Sequence, residues 1–260
     1  MTASDPLDPE LRTRQRLSAI AHAGATMWGP VGEATLAALV DQLERSGIVA
    51  GDLLLDLGCG PAELLRRVCE RTAASGVGID TSPEALAEAA RRLATSPARE
   101  RVELRAADAT NQPREGRAAV ALCIGPGWVT GGWAAMTEWM TGFVRPGGHL
   151  VLGEGAWARE PSRSELQALG MTLDDYPATD EVEAAVRRHS DPLWRHRSTD
   201  DEWDAYAAAY RSSLSSFATE HPDHELAPAA AQRAGPGWAT FELLHELLDF
   251  VIVFARRPTA

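Results

Sequence analysis

Cysteine is scarce in this 260-residue chain, with only Cys59, Cys69 and Cys123. An odd count without paired spacing supports neither a disulfide framework nor a zinc site. Long apolar runs are missing as well. The longest, Ala118 to Ile124, is far too short to cross a bilayer. The opening residues, Met1-Thr2-Ala3-Ser4-Asp5-Pro6, have no basic segment followed by an apolar one, so no secretory signal is expected. Positive charge is in deficit, with 25 Lys plus Arg against 37 Asp plus Glu and a formal net charge of -12. An acidic body repels phosphate backbones, which disfavours a nucleic-acid partner. No block of like charge suggests a binding tail. There is no internal repeat and no low-complexity linker. These absences leave a soluble chain in a reducing, cytoplasmic setting, with no membrane partner expected.

What is present centres on Leu53-Leu54-Leu55-Asp56-Leu57-Gly58-Cys59-Gly60-Pro61-Ala62-Glu63. A short apolar run bounded by glycines reads as a buried strand. Gly58 and Gly60 let the backbone turn tightly and let a ligand approach it. The helix start that follows carries unpaired N–H groups. This describes a nucleotide-type pocket at the carboxyl end of a parallel strand.

The rest of the chain alternates in the same way. Helical spacing marks Pro9 to His22 and Val31 to Arg45 as a preface before the first strand, Asp52 to Asp56. A helix over Ala62 to Thr72 leads to a second strand, Gly76 to Asp80. About 20 residues separate Gly60 from Asp80, the distance at which the next strand brings a carboxylate to a ribose. Further strands fall at Val102 to Ala106, Ala118 to Ile124 and His149 to Leu152, the last ending at Gly153-Glu154. A helix over Trp133 to Val144 precedes that fifth strand. Beyond Glu154 the rhythm loosens. Helices are expected over Asp180 to Arg188, Asp200 to Ala218 and Glu225 to Leu248, with a break at Gly235-Pro236-Gly237. A weak sixth strand is expected at Leu193 to Arg197 and a clear last one at Phe250 to Ala255. Alternating strands and helices imply a parallel sheet. The expected fold is α/β, a Rossmann-like, mostly parallel seven-stranded sheet flanked by helices. The expected organisation is one domain over 1–260. Residues 1–50 form a helical preface or cap, 51–155 the core, 156–248 a covering insertion with the sixth strand, and 249–257 the last strand.

Four motifs in order resemble the class I S-adenosylmethionine-dependent methyltransferases. Leu55 to Gly60 is similar to the glycine-loop motif, and Gly78-Ile79-Asp80-Thr81-Ser82 to the acid-ended second strand. Asp108-Ala109 is similar to the adenine-contacting acid, and Val144 to Gly148 to the turn before the fifth strand. The resemblance spans roughly Gly51 to Glu154 plus the last strand. It implies S-adenosylmethionine as cofactor and S-adenosylhomocysteine as product. A dinucleotide fingerprint instead requires a third glycine, where this chain has Glu63. There a pyrophosphate meets a carboxylate, whereas S-adenosylmethionine has no phosphate.

By that resemblance Gly58 and Gly60 pass beneath the methionine portion. Asp56 holds the loop or reaches the amino group through water. Asp80, with Thr81 beside it, accepts both ribose hydroxyls. Asp108 and the Ala109 N–H contact adenine, and Ile124 and Gly125 line the sulfonium side. Gly125 to Trp128 carries neither the Asn/Asp-Pro-Pro motif of amide- and adenine-type enzymes nor the metal-binding Asp of catechol-type enzymes. No metal and no DNA-base substrate are therefore expected. Glu154, at the end of the fifth strand, is the first candidate for a catalytic base or amine-binding group. His22 is the second, if the preface covers the pocket. Trp28, Trp128, Trp133, Trp157, Tyr206 and Tyr210 fall where the fold builds its substrate cover. They suit a small, flat or hydrophobic acceptor methylated on nitrogen or oxygen. A nucleic-acid or protein methyltransferase, or a non-catalytic S-adenosylmethionine-binding protein, is the alternative.

Overall fold

A computed structural model describes residues 9–259. Its strands are β1 (Leu53–Leu57), β2 (Ser75–Asp80), β3 (Val102–Ala106), β4 (Ala118–Ile124), β5 (Val144–Trp157), β6 (Asp191–Arg197) and β7 (Leu248–Arg256). They form a seven-stranded sheet in the order β3-β2-β1-β4-β5-β7-β6. β1 to β5 pair in parallel with one another, and β7 lies antiparallel between β5 and β6. The expected mostly parallel sheet is therefore present. Its centre is β4, whose side chains are buried on both faces up to the final Ile124, as a strand covered by helices on each side requires.

Helices α1 (Pro9–Ala21) and α2 (Glu33–Arg45) precede the sheet. The crossovers are α3 (Glu63–Thr72), α4 (Pro83–Leu93) and α5 (Trp133–Thr141). Later come α6 (Arg163–Leu169), α7 (Val182–Arg187), α8 (Asp200–Glu220), α9 (Ala227–Ala234) and α10 (Trp238–Leu247). Period-2 alternation along the strands divides the core. On β5, Val151 joins a core with Leu36 and Leu39 of α2 and Leu65 and Val68 of α3. Leu150, Leu152 and Ala156 join the opposite one, with Met136 and Met140 of α5 and Val182 and Val186 of α7. A third core ties α1 to the late helices: Leu17 and Ala21 pack with Tyr210, Leu214, Ala230 and Trp238. Among the described residues no helix is long and apolar enough to cross a membrane.

The fifth strand differs most from expectation. It runs over Val144–Trp157 rather than stopping at Glu154, because β7 pairs with it as far as Trp157↔Leu248. Glu154 pairs with Val251 inside that ladder. Helix α5 stops at Thr141, since Val144 pairs with Ala118. Helix α6, absent from the sequence reading, starts on a reciprocal cap between Ser162 and Glu165.

Candidate active site

The carboxyl ends of β1, β2 and β4 open into one cavity of about 770 Å³. The glycine turn forms its floor. The N–H groups of Gly58 and Cys59 both donate to the carbonyl of Ile79, at 2.8 and 3.0 Å, which ties the turn to β2. Gly58 has φ +76, and a Cβ there would lie 2.5 Å from Pro126 Cγ. Only glycine fits both demands. Two residues on, Gly60 N–H donates to Asp80 Oδ2 at 2.8 Å, while Asp80 Oδ1 accepts from Ser82 N–H at 2.8 Å. Burial raises the Asp80 pKa, and these backbone donors oppose the rise.

Asp56 is 7% exposed, lines the cavity and has no hydrogen-bond or ion-pair partner among the described residues. Burial, helped by the charge of Asp80, pushes its pKa up to about 8. Asp108 caps a short turn: its Oδ1 accepts from Thr110 N–H at 2.8 Å and from the Thr110 hydroxyl at 2.7 Å. Thr81, Ala109, Ile124 and Gly125 complete the set expected to hold the cofactor, and all of them line this cavity.

The remaining wall comes from the segment between α1 and α2. Trp28 lies over the glycine turn and stacks on His22, with ring centroids 5.1 Å apart at 13°. His22 Nδ1 is 2.7 Å from the Ser18 carbonyl and so must carry the proton. Nε2 is then an acceptor, filled by the Tyr206 hydroxyl at 3.0 Å. Desolvation lowers the His22 pKa to about 4. His22 therefore lines the cavity as a neutral ring with both nitrogens engaged. It is not poised as the base expected from sequence.

Glu154 also departs from expectation. It shares the strand face of Leu150, Leu152 and Ala156, so it points into the core beside α5 and does not line the cavity. Its Oε1 accepts from Gly155 N–H at 2.8 Å, and its Oε2 lies 3.0 Å from where a Cβ on Gly127 would be. Trp133 and Trp157, expected on the cover, are each 2% exposed and donate to the carbonyls of Gly155 and Leu173. They are core residues because each buried indole N–H finds a backbone acceptor there. Tyr206 and Tyr210 stand behind His22 rather than on the cavity surface. The side chain of Trp128 lies outside the described residues. Sequence reasoning missed Trp139 on α5, Val129, Met27 and Gln15, which do line the cavity. Gln15 carried the clearest hint, being on α1 among apolar positions. Its amide donates to Thr81 Oγ1 at 2.7 Å.

The charge of the cavity decides what it can hold. Among the described residues no arginine or lysine lines it, whereas Asp56, Asp80 and Asp108 do. Glu63, which sequence set against a pyrophosphate, is already neutralised. Its carboxylate accepts from Arg66 at 2.6 Å, Arg67 at 2.7 Å and Arg92 at 3.2 Å. The unpaired acids of the cavity, not Glu63, make it unsuitable for a phosphate. A ligand with an ammonium, a sulfonium, two ribose hydroxyls and no phosphate fits them.

Known proteins agree with this chemistry. Residues 54–148 match the family model described as a methyltransferase domain. An uncharacterised Escherichia coli K12 protein, YjhP, is 31% identical over 180 residues, covering 68% of this chain and 73% of its own. A S-adenosylmethionine-dependent methyltransferase from Geobacter sulfurreducens, solved with S-adenosyl-L-homocysteine, superposes with TM-score 0.84 at 25% identity. That match covers 93% of this chain and 98% of the other. A S-adenosylmethionine-dependent methyltransferase from Thiobacillus denitrificans, also with S-adenosyl-L-homocysteine, gives TM-score 0.82 at 26% identity, with the same coverage. The chain belongs to the class I S-adenosylmethionine-dependent methyltransferases, and S-adenosylmethionine is its cofactor.

Proposed function

We propose that this enzyme methylates a nitrogen or oxygen of a small, uncharged or cationic, largely apolar molecule in the cytoplasm. The observation that carries the reading is the cavity wall. It combines carboxylates with apolar side chains such as Met27, Val31 and Val129, and no basic side chain lines it among the described residues. Small acceptors favour such a concave, mostly apolar site with few polar groups. An anionic acceptor would meet only like charge.

When bound, S-adenosylmethionine supplies an electrophilic methyl on a good leaving group. In this reading Asp56 receives the ammonium of its methionine portion, and Gly58 and Gly60 let that portion lie against the backbone. Asp80 and Thr81 take the ribose hydroxyls, Asp108 and Ala109 the adenine, and Ile124 and Gly125 the sulfonium side. Trp28 and Trp139 supply flat walls for the acceptor. His22 and Tyr206 hold Trp28 in place, and Glu154 supports the Gly127–Thr130 turn from below. The chain's contribution to rate is then positioning for in-line displacement. Residues 9–259 act as one domain, with 9–50 and 156–248 as cover.

The test is transfer of tritiated methyl from S-adenosylmethionine to three acceptor pools. These are small aromatic amines and phenols, small carboxylates and phosphate esters, and bulk RNA with protein extract. Label is expected in the first pool alone. Label in RNA or protein would replace this reading with the macromolecular one.

A further inference from the structure

Between α1 and α2, one side chain of the cofactor half hydrogen-bonds to the cap backbone among the described residues. Arg92, near the end of α4, is 12% exposed and uses every nitrogen of its guanidinium. Nη2 donates to the carbonyl of Ala25 at 2.6 Å, and Nη1 donates to the carbonyl of Thr26 at 2.6 Å. Nη1 also reaches Glu63 Oε2 at 3.2 Å, and Nε donates to Glu88 at 2.8 Å. Among the described residues no other side chain of β1 to β5 or their crossover helices hydrogen-bonds to the cap backbone between α1 and α2. The remaining side-chain bonds to that backbone come from Ser198, Glu202 and Ser213, later in the chain.

The anchor of this contact is tied to the cofactor floor. Glu63 is the first residue of α3, directly after the glycine turn, and its carboxylate is 5% exposed. Ala62 before it has φ +54, a left-handed conformation that costs an alanine energy and sets the direction of Glu63. Two residues beyond Thr26, Trp28 lies over Gly60. Floor, guanidinium and roof are thus linked as Glu63, Arg92, Ala25-Thr26 and Trp28.

We propose that Arg92 is a positioning residue for cofactor retention, which latches the Ala25–Trp28 roof to the glycine turn. It touches neither cofactor nor acceptor and does not line the cavity. A planar fork suits this task because it spans two adjacent carbonyls while ion-paired behind. Lysine carries its three donors on one nitrogen and lacks the fork that reaches Ala25, Thr26, Glu63 and Glu88 at once. The inference rests on the placement of the cofactor in this cavity.

The test measures S-adenosylhomocysteine affinity and dissociation rate for the full chain, its R92A and R92K variants, and R91A. Arg91 is the control, since it is an exposed neighbour bonded to the same Glu88. Both Arg92 variants are expected to bind at least tenfold more weakly, chiefly through faster dissociation. Amide exchange over residues 23–30 should accelerate in both, while that of β4 is unchanged. Millimolar guanidinium should recover most of the loss in R92A, and R91A should match the parent. Affinity within twofold of the parent in R92K, or loss in R92A with unaltered exchange at 23–30, would overturn the latch. If R92A does not fold, R92K with its exchange pattern decides alone. Failure of the unaltered protein to bind S-adenosylhomocysteine would instead reject the placement of the cofactor.

Discussion

The hydroxyl of Tyr206 on α8 donates to Nε2 of His22, just past α1, across 3.0 Å and 184 residues of chain. The bond joins α8 to the segment after α1 beside the cavity wall. It also fixes the imidazole in its Nδ1-protonated form. With its pKa lowered to about 4 by burial, His22 takes up its proton more readily in the unfolded chain than in the folded one. Stability from this group is complete above about pH 6.5 and is lost as pH falls through about 4. Tyr206→Phe leaves a buried acceptor bare, at a cost of about 1–3 kcal/mol. Thermal melts from pH 4 to 8 check both points. The parent should lose stability below pH 6.5 more steeply than His22→Gln.

Asp56 has the opposite dependence. Its folded pKa of about 8 lies above the ordinary carboxyl value, so its contribution is greatest at low pH and is lost as pH rises through 8. Asp56→Asn removes that loss. Without cofactor the variant should melt above the parent at pH 9, by about 2–4 °C for each 1 kcal/mol recovered, and should match it near pH 4. With S-adenosylmethionine present the order should reverse, because the asparagine cannot neutralise an ammonium.

Gly58→Ala meets two penalties, a positive φ and a Cβ 2.5 Å from Pro126 Cγ. The turn has to shift, and the Gly60 N–H that reaches Asp80 shifts with it. A stability loss of about 1–3 kcal/mol is expected, with a larger proportional loss in cofactor affinity. Calorimetry beside a thermal melt separates the two.

Glu202 links the late insertion to the preface. Its Oε1 accepts from Gly32 N–H at 2.8 Å and the Thr35 hydroxyl at 2.7 Å, and its Oε2 pairs with His196 at 2.7 Å. These donors outweigh burial and hold its pKa down to about 2. Glu202→Ala strands the Gly32 N–H and leaves Thr35 and His196 only each other, 3.1 Å apart, so a loss of about 2–4 kcal/mol is expected. Denaturant unfolding measures it, with cofactor affinity near the parent value once the protein is folded.

Local patterns carried the cofactor half. The apolar runs of β1 and β4, the alternation of β3, the glycine turn, and the acids after β2 and β3 all depend on neighbours a few residues away. They could be read in order and converge on one cavity. The length of β5 could not, because its final turns are held by β7, about a hundred residues later. That non-local pairing moved Glu154 from a strand end into a core. Trp133 and Trp157 sit past strands, where a cover is expected, yet each is held by a backbone carbonyl that no spacing reveals. Glu63 was legible as a departure from a dinucleotide motif, whereas the arginines that claim it come from two helices. The start of α6 was written in Ser162-Arg163-Ser164-Glu165, a capping box that went unread.

Asp80 joins the glycine turn to the proposed ribose site. Calorimetric titration of S-adenosylhomocysteine into the parent and Asp80→Ala tests it, with melting recorded for both. Loss of charge-assisted hydrogen bonds worth about 1.5–3 kcal/mol each predicts at least a hundredfold weaker binding by a folded variant. Equal affinity in the two proteins would contradict the placement of the cofactor in this cavity.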